Sequence, residues 1–230
     1  MNAWRALVLA TIMTAIGAGT APAQAQDAGT VSIVTYVEVQ PQAKGEAVDL
    51  LAGFRDATRK DDGNLAADVV ESTARLGHYV ILTAWKDQKA FDAHMAAAHT
   101  KEFREKIHGL RNSPLDDRLH NNLTVAPAQA AAKGKPVYVI THVDVPPPRK
   151  DECVALLKKL ADASRQDAGN LRFDVVQQTN RPNHFTVVES WGSRGAFDVH
   201  EVQPQTFEFR TKLATMTGAL YDERLYRAMR

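Results

Sequence analysis

Hydrophobic and polar residues alternate over the first clearly patterned segment of the chain, residues 31–39. Val31, Ile33 and Val37 share one side of this segment, and Ser32 and Glu38 lie on the other. This two-residue period predicts a β-strand. Farther along the chain, the spacing of the apolar residues changes from the alternation of a strand to the spacing of a helix, and then returns to alternation. The pattern predicts strand, helix, strand, strand, helix and strand over residues 31–39, 46–60, 65–73, 79–85, 87–110 and 118–125.

The same pattern occurs twice, because the sequence matches itself without a gap when it is shifted by 106 positions. Residues 31–39 meet residues 137–145, and Gly63-Asn64-Leu65 meets Gly169-Asn170-Leu171. Other matched pairs are Trp85 with Trp191, Phe91 with Phe197, His94 with His200, and Arg118 with Arg224. The chain therefore encodes one α+β unit twice, and its βαββαβ order is that of a ferredoxin-like fold.

The repeat divides the chain into two domains with a short connection. We predict a leader over residues 1–25, domain 1 over residues 29–125, an Ala-rich linker over residues 126–135 and domain 2 over residues 136–230. On the first strand, one face is the same in both copies and the other changes, although Val34 and Ile140 keep it partly apolar. The constant face suits packing under helices. Covering the variable face requires the two sheets to pack together, which predicts an intramolecular dimeric α/β barrel. Further homo-oligomerisation is left open.

The N-terminus has the three parts of a secretory signal peptide in order. Arg5 supplies positive charge, residues 6–18 form an apolar run, and Ala23-Gln24-Ala25 is a small-x-small cleavage site. The run is shorter than the roughly 20 residues that span a bilayer. We expect cleavage near Ala25/Gln26 and a periplasmic or secreted mature protein with no membrane span.

Charge and cysteine content exclude some classes of function. The whole chain has 28 Lys and Arg against 27 Asp and Glu, so removal of Arg5 with the leader balances the charges. Without a basic excess, nucleic acid is not an expected partner. The one cysteine, Cys153, excludes an internal disulfide, and Ala47 at the matching position indicates a small buried side chain.

A family resemblance rests on an ordered set of motifs. In domain 2 these are Gly169-Asn-Leu-Arg-Phe-Asp-Val-Val176, Phe185-Thr-Val-Val-Glu-Ser-Trp191 and Ala196-Phe-Asp-Val-His200. Domain 1 repeats the pattern through Gly63, Trp85 and His94. The sequence resembles the antibiotic biosynthesis monooxygenase family, which includes quinol monooxygenases. The resemblance implies paired ferredoxin-like domains that oxidise a small aromatic with dioxygen and without a metal or organic cofactor.

The resemblance also implies a set of site residues. His94 and His200 would act as bases, because an imidazole titrates near working pH and can take a phenolic proton. The predicted substrate-binding residues are Trp85, Trp191, Glu189, His99, Phe91 and Phe197. The copies differ, since Thr83 replaces Glu189 in domain 1 and Gln205 replaces His99 in domain 2. The two sites are therefore not expected to be equivalent.

Structural roles compete with these assignments. Each Trp can fill the core as well as wall a pocket, and each His can be a satisfied, half-buried residue. A metal is not expected at His94 and His99, because five residues of continuous helix turn by about 500°, which places the two side chains about 140° apart.

Three functions remain open from the sequence. The first is an exported, cofactor-independent monooxygenase acting on a quinol or related aromatic. The second is a heme-binding or heme-degrading relative, which is weakened because neither first strand contains the Asn that those relatives use. The third is a non-catalytic small-molecule-binding module that has kept the fold.

Overall fold

The computed structural model describes residues 29–126 and 135–229. The predicted leader, residues 1–25, and residues 127–134 of the predicted linker lie outside the described residues. Domain 1 contains β1 Val31–Glu38, α1 Lys44–Thr58, β2 Asn64–Ser72, β3 His78–Trp85, α2 Gln88–Ala96, α3 Ala98–His108 and β4 Asp116–Thr124. Domain 2 contains β5 Val137–Asp144, α4 Lys150–Ser164, β6 Asn170–Gln178, β7 His184–Trp191, α5 Arg194–Glu201, α6 Pro204–Leu213 and β8 Asp222–Ala228.

The predicted βαββαβ order is confirmed in both domains, with one correction. The segment predicted as a continuous second helix is two helices, α2 and α3, separated by Ala97. Ala97 has an extended conformation (φ −64°, ψ 149°), which ends one helix and starts the next. No helix in the described part of the chain has the length and apolar character needed to cross a bilayer.

The strands of both domains form one closed antiparallel barrel in the order β1-β3-β2-β8-β5-β7-β6-β4. Two seams join the domains, β2 with β8 and β4 with β6. Glu71 pairs with Arg227 across the first seam, and their side chains form an ion pair of 2.8 Å. Asn121 pairs with Gln177 at the matching place in the second seam. The predicted intramolecular barrel is therefore continuous in hydrogen bonding, and each domain covers the sheet edges of the other.

Each domain has an apolar core between the barrel and its helices. In domain 1, Val37 of β1 and Val39, just after this strand, pack with Leu51 of α1 and Ile107 of α3. In domain 2, Cys153 is fully buried in the matching core. A third cluster fills the barrel interior with the variable strand faces: Val34, Val70, Val80, Leu82, Ile140, Val188 and Tyr226. Both sides of the sheet are thus buried, as predicted from the partly apolar variable face.

Polar groups also meet inside the barrel. Tyr36 and His142, which occupy matching positions in the two domains, meet at 2.6 Å between Oη and Nε2. His120 Nε2 lies 3.0 Å from Thr186 Oγ1. Burial, together with the charge of the nearby Arg118, lowers the pKa of His120 and of His142 to about 4. The barrel centre therefore holds two imidazoles that are neutral at physiological pH.

A glycine turn precedes the second strand of each domain. Gly63 has φ +81° and Gly169 has φ +84°, a conformation that side chains rarely adopt. A Cβ at Gly169 would lie 2.7 Å from the Cβ of Ala196 on α5. The turn thus sets the strand directly against the helix that carries the candidate histidine.

Candidate active site

Each candidate site begins where the third strand of a domain ends. Trp85 is the last residue of β3, and Asp87 caps α2 by accepting a hydrogen bond from the Ala90 N–H at 2.7 Å. In domain 2, Trp191 ends β7, and Ser193 accepts a backbone N–H of α5 at 3.2 Å. These short connections turn each helix back over the Trp that precedes it.

The predicted Trp and His residues are in contact in both domains. The ring centroids of Trp85 and His94 are 4.6 Å apart, and those of Trp191 and His200 are 4.5 Å apart. Both indoles are fully buried, and the two imidazoles are 5% and 3% exposed. Core filling and a role at a site are therefore compatible for the same side chains.

Aromatic side chains surround each pair. The centroid of Phe91 lies 6.3 Å from each ring of its Trp–His pair, and that of Phe197 lies 6.4 Å from each ring of the other. Sequence analysis missed two more rings, Phe54 at 5.6 Å from His94 and Phe173 at 5.7 Å from His200. Phe54 lies on α1 and Phe173 on β6, so the repeat does not match them.

A carboxylate orients each histidine, and sequence analysis missed both carboxylates. Asp61 Oδ2 lies 2.6 Å from His94 Nδ1, and Asp167 Oδ2 lies 2.8 Å from His200 Nδ1. The two aspartates coincide under the 106-residue shift, and this was the available signal. A carboxylate on Nδ1 fixes the tautomer with its proton there, which leaves Nε2 as the basic nitrogen.

The Trp N–H groups have different partners in the two domains. Trp85 Nε1 donates to Thr83 Oγ1 at 3.1 Å, whereas Trp191 Nε1 donates to Glu189 Oε2 at 2.9 Å. The same Glu189 oxygen lies 3.9 Å from His200 Nε2. Domain 2 therefore places a carboxyl group near Nε2 of its histidine, where the Thr206 hydroxyl also lies at 3.4 Å, and domain 1 has the Thr83 hydroxyl at the position of that carboxyl.

The electrostatic state of the domain 2 site follows from its burial. Burial raises the pKa of Glu189 to about 8, and the hydrogen bond from Trp191 opposes this rise. Burial also lowers the pKa of His200, against the opposing effect of Asp167. At neutral pH the pair is therefore a protonated carboxyl and a neutral imidazole, so an acid and a base face each other.

The two halves of the chain match the same known family. A family model described as antibiotic biosynthesis monooxygenase matches residues 30–106 and again residues 136–212. The chain belongs to the antibiotic biosynthesis monooxygenase family. The resemblance seen in the sequence is thereby confirmed.

Individual relatives match parts of the chain. A Bacillus subtilis protein named "Putative monooxygenase YcnE" is 28% identical over 86 residues, which cover 37% of this chain and 90% of that protein. An uncharacterized Synechocystis protein is 26% identical over 92 residues, 40% of this chain and only 63% of that protein. Family membership and the Bacillus relative support a monooxygenase-type function.

A solved structure shares the fold of the whole described barrel. The crystal structure of a putative monooxygenase from Fusobacterium nucleatum aligns with a TM-score of 0.81 at 15% identity, and the match covers 88% of this chain and 94% of that protein. The predicted tandem arrangement of the family fold is thus confirmed.

The positions of His99 and of the matching Gln205 correct the expectation that the second helix of each domain is continuous. Because the chain breaks at Ala97, His99 turns back toward the first histidine, and His99 Nε2 lies 3.1 Å from Asp61 Oδ2. In domain 2, Gln205 donates to both oxygens of Asp167 at 3.0 Å. The expected separation of about 140° between His94 and His99 is therefore wrong, because it holds only for a continuous helix.

A shallow surface groove approaches the domain 2 site between α4 and α6. Its volume is about 10 Å³, far below the roughly 300 Å³ of a small ligand pocket, so the groove does not admit a substrate in this conformation. Its lining residues are Leu156, Lys159, Leu160, Gln205, Glu208 and Phe209. Gln205 connects this groove to Asp167 and hence to His200.

Proposed function

We propose that the protein is an exported monooxygenase that oxidises a quinol or a related small aromatic with dioxygen, and that domain 2 performs the chemistry. One observation carries the proposal: the His200 imidazole has Asp167 on Nδ1, faces Glu189 from Nε2 and stacks on Trp191. A base with a fixed tautomer, an acid and a flat aromatic wall are thereby held in one buried place.

His200 is the base in this proposal. Its Nδ1–H donates to Asp167, so Nε2 accepts the hydroxyl proton of the substrate. Burial lowers the pKa of His200, which keeps the imidazole neutral and ready to accept a proton at neutral pH. The substrate becomes an electron-rich anion that reacts directly with dioxygen in a site from which water is excluded.

Glu189 is the acid in this proposal. Its pKa of about 8 keeps the carboxyl protonated at neutral pH, so it can stabilise the peroxide formed on the ring and protonate the departing oxygen. In each turnover His200 gains one proton and Glu189 gives up one proton. The total number of protons on the two groups therefore does not change.

The overall reaction balances without an outside reductant. A para-quinol and dioxygen give a hydroxy-para-quinone and water. One carbon–oxygen bond forms at a ring carbon, the hydrogen on that carbon leaves as a proton, and the oxygen–oxygen bond breaks. All electrons taken up by dioxygen come from the aromatic ring, which is why an electron-rich diol is the proposed substrate class.

Access requires movement of the domain 2 helices, because Trp191, His200 and Glu189 are at most 4% exposed. The groove between α4 and α6 is the proposed entrance. Opening it would separate Gln205 from Asp167 and admit a flat ring beside the imidazole. Motions of this kind often accompany substrate binding in enzymes with closed sites.

Oxygen uptake with a panel of substituted hydroquinones tests the activity. We expect His200→Gln to lower kcat by about 100-fold or more, the usual contribution of a positioned base. The matched domain 1 variant, His94→Gln, should lower kcat far less. Folded wild-type protein that consumes no oxygen across the panel would favour the non-catalytic binding module instead.

Export is supported by the charged, apolar and small-residue parts of residues 1–25. Expression of the full chain followed by mass spectrometry of the N-terminus tests it. We expect a periplasmic or secreted product that begins at Gln26. An intact N-terminus in a cytoplasmic product would contradict export and would leave the proposed chemistry unaffected.

A further inference from the structure

Three metal-binding side chains converge in domain 1, outside the proposed chemistry of domain 2. Asp61 lies in the turn after α1, His94 in the last turn of α2, and His99 in the first turn of α3. One ligand atom of each lies within 4.8 Å of the others. The break at Ala97 produces this convergence, because it turns α3 back toward the end of α2.

We propose that Asp61, His94 and His99 bind one divalent transition-metal ion. Two imidazoles and one carboxylate are a common donor set for first-row metals such as Zn²⁺, and they leave coordination positions open for water. A single carboxylate with two nitrogens is a poor set for Mg²⁺ or Ca²⁺, which need more oxygen ligands.

The distances around Asp61 fit a small adjustment on metal binding. Its Oδ2 lies 2.6 Å from His94 Nδ1 and 3.1 Å from His99 Nε2. Ligand atoms about 2.0 Å from a tetrahedral ion are roughly 3.3 Å apart. Coordination through His94 Nδ1 releases the proton that this nitrogen shares with Asp61, and shifts of about an ångström then let the three groups surround an ion.

His99 supplies independent evidence for a ligand. Its Nε2 is buried and makes no hydrogen bond with any described residue, although Asp61 Oδ2 is only 3.1 Å away. The nitrogen is therefore close to the carboxylate without the alignment that a hydrogen bond requires. The His99 side chain is 28% exposed, but a buried nitrogen without a hydrogen bond is unfavourable, and coordination to a metal removes this cost.

Domain 2 shows what the same place looks like without a metal site. Gln205 stands where His99 does, and its amide nitrogen donates to both oxygens of Asp167. The Asp167 carboxylate accepts from the amide at both oxygens and lies 2.8 Å from His200 Nδ1. Matching positions of the two domains thus have different roles, with a metal site in domain 1 and an acid–base site in domain 2.

Calorimetric titration of the untagged, metal-stripped protein with Zn²⁺ tests this proposal. We expect one ion per chain with a micromolar or lower Kd, and His99→Gln should weaken the affinity at least 100-fold. His108→Gln is the matched control, because His108 is an exposed residue on the same helix and interacts with Arg111. Its affinity should equal that of the wild type.

A gain of binding provides a second test. Gln205→His recreates the domain 1 set in domain 2 and should raise the stoichiometry to two Zn²⁺ ions per chain. Replacing Zn²⁺ with Co²⁺ should give visible absorption bands that His99→Gln loses. If His99→Gln does not fold, Asp61→Asn supplies the same loss with a side chain of equal size.

Three results would overturn the proposal. They are the absence of Zn²⁺ binding to the wild-type protein, an unchanged affinity in His99→Gln, and equal weakening in His108→Gln. None of these measurements uses oxygen consumption. The metal site and the proposed monooxygenase activity can therefore fail separately.

Discussion

One side chain distinguishes the surroundings of the two buried tryptophans. Thr83 gives Trp85 a neutral hydroxyl partner, whereas Glu189 gives Trp191 a carboxyl partner that also faces His200. A carboxyl buried to 4% exposure is unfavourable when ionised, so its presence needs a compensating role. A role in proton transfer accounts for the buried carboxyl group. Glu189 is then expected to raise the activity of the protein and to lower its stability.

Glu189→Gln should stabilise the protein while reducing its activity. The pKa of Glu189 rises from 4.5 to about 8 on folding, so stability is complete below pH 4.5 and is lost as pH rises through 8. A glutamine at position 189 does not ionise, so the variant does not lose stability as the pH rises. We expect urea unfolding to show a gain on the order of 3 kcal/mol at pH 7 and almost none at pH 4.5.

The kinetic half of this prediction concerns alkaline pH. Activity that needs protonated Glu189 should decline above pH 8 in the wild type, and Glu189→Gln should lower kcat more than tenfold and remove that decline. The exposed Glu152→Gln serves as control for both measurements. Equal stability changes in the two variants would contradict the role of burial.

The sequence predicted the Trp–His contacts but not the aspartates that orient the histidines. Asp61 and Asp167 lie in polar loops, where a carboxylate usually faces solvent, so neither apolar periodicity nor a motif marks them. Their coincidence in the repeat was a signal, but many solvated charges coincide as well. The role of the two aspartates in orienting the histidines is visible only in the folded structure, where the side chains meet. The linear sequence pattern does not contain that information.

At the scale of elements, the break between the two short helices of each domain brings His99 or Gln205 to the site. Ala98 gives no sign of a helix start in domain 1, because alanine is fully compatible with a helix interior. The matching residue in domain 2 is Pro204, which occupies the first turn of α6. Proline is preferred there and disrupts helix interiors. The second copy therefore contained the evidence for a break in the first.

The turn before β6 offers a test of how tightly strand and helix are packed. Gly169→Ala should destabilise the protein by about 1–3 kcal/mol, because φ is +84° and the new Cβ would lie 2.7 Å from that of Ala196. Gly53→Ala, within α1 and with open space around it, should stabilise by about 0.5–1 kcal/mol. Thermal unfolding of both variants gives opposite signs if this account is correct.

At the scale of the whole molecule, the barrel interior links stability to pH. The pKa values of His120 and His142 fall from 6.5 to about 4 on folding. The stability that depends on their neutral forms is complete above pH 6.5 and is lost as pH falls toward 4. For one such group the loss is about 3 kcal/mol.

Denaturant unfolding between pH 7 and pH 4 measures this dependence. Tyr36 contacts His142, and the charged or titratable groups that act on His142 are Arg118, Arg224, Asp222 and His120. His142→Gln retains a polar partner for Tyr36 and should remove the part of the acid-induced loss that His142 contributes, about 3 kcal/mol. The exposed His108→Gln should leave the slope unchanged, and a wild-type slope in His142→Gln would count against the barrel interior as its source.

The seams predict that neither domain is an independent unit. Residues 29–125 alone would leave the edges of β2 and β4 unpaired, because both edges bond to domain 2 in the intact chain. Exposed strand edges pair readily with other chains. Light scattering after size-exclusion chromatography should show dimers or larger species, and a stable monomer would mean that the seams contribute little.

Sequence patterns gave the two-domain barrel but not its closure. They assigned both faces of the sheet to burial, and the structure confirms this through Val34 and Ile140 inside the barrel. They did not identify the edge pairing of Glu71 with Arg227, because register across a seam depends on three-dimensional stagger. Periodicity along one strand carries no information about the strand that lies beside its edge.

The fusion of both copies in one chain has a consequence for inheritance. In a dimer of identical subunits, every mutation alters both sites at once, so improving one role at the expense of another is constrained. Here each codon affects one half only, while the shared barrel keeps the halves at a fixed ratio of one to one. Selection could therefore retain His99 in one half and Glu189 in the other, each inherited with its partner.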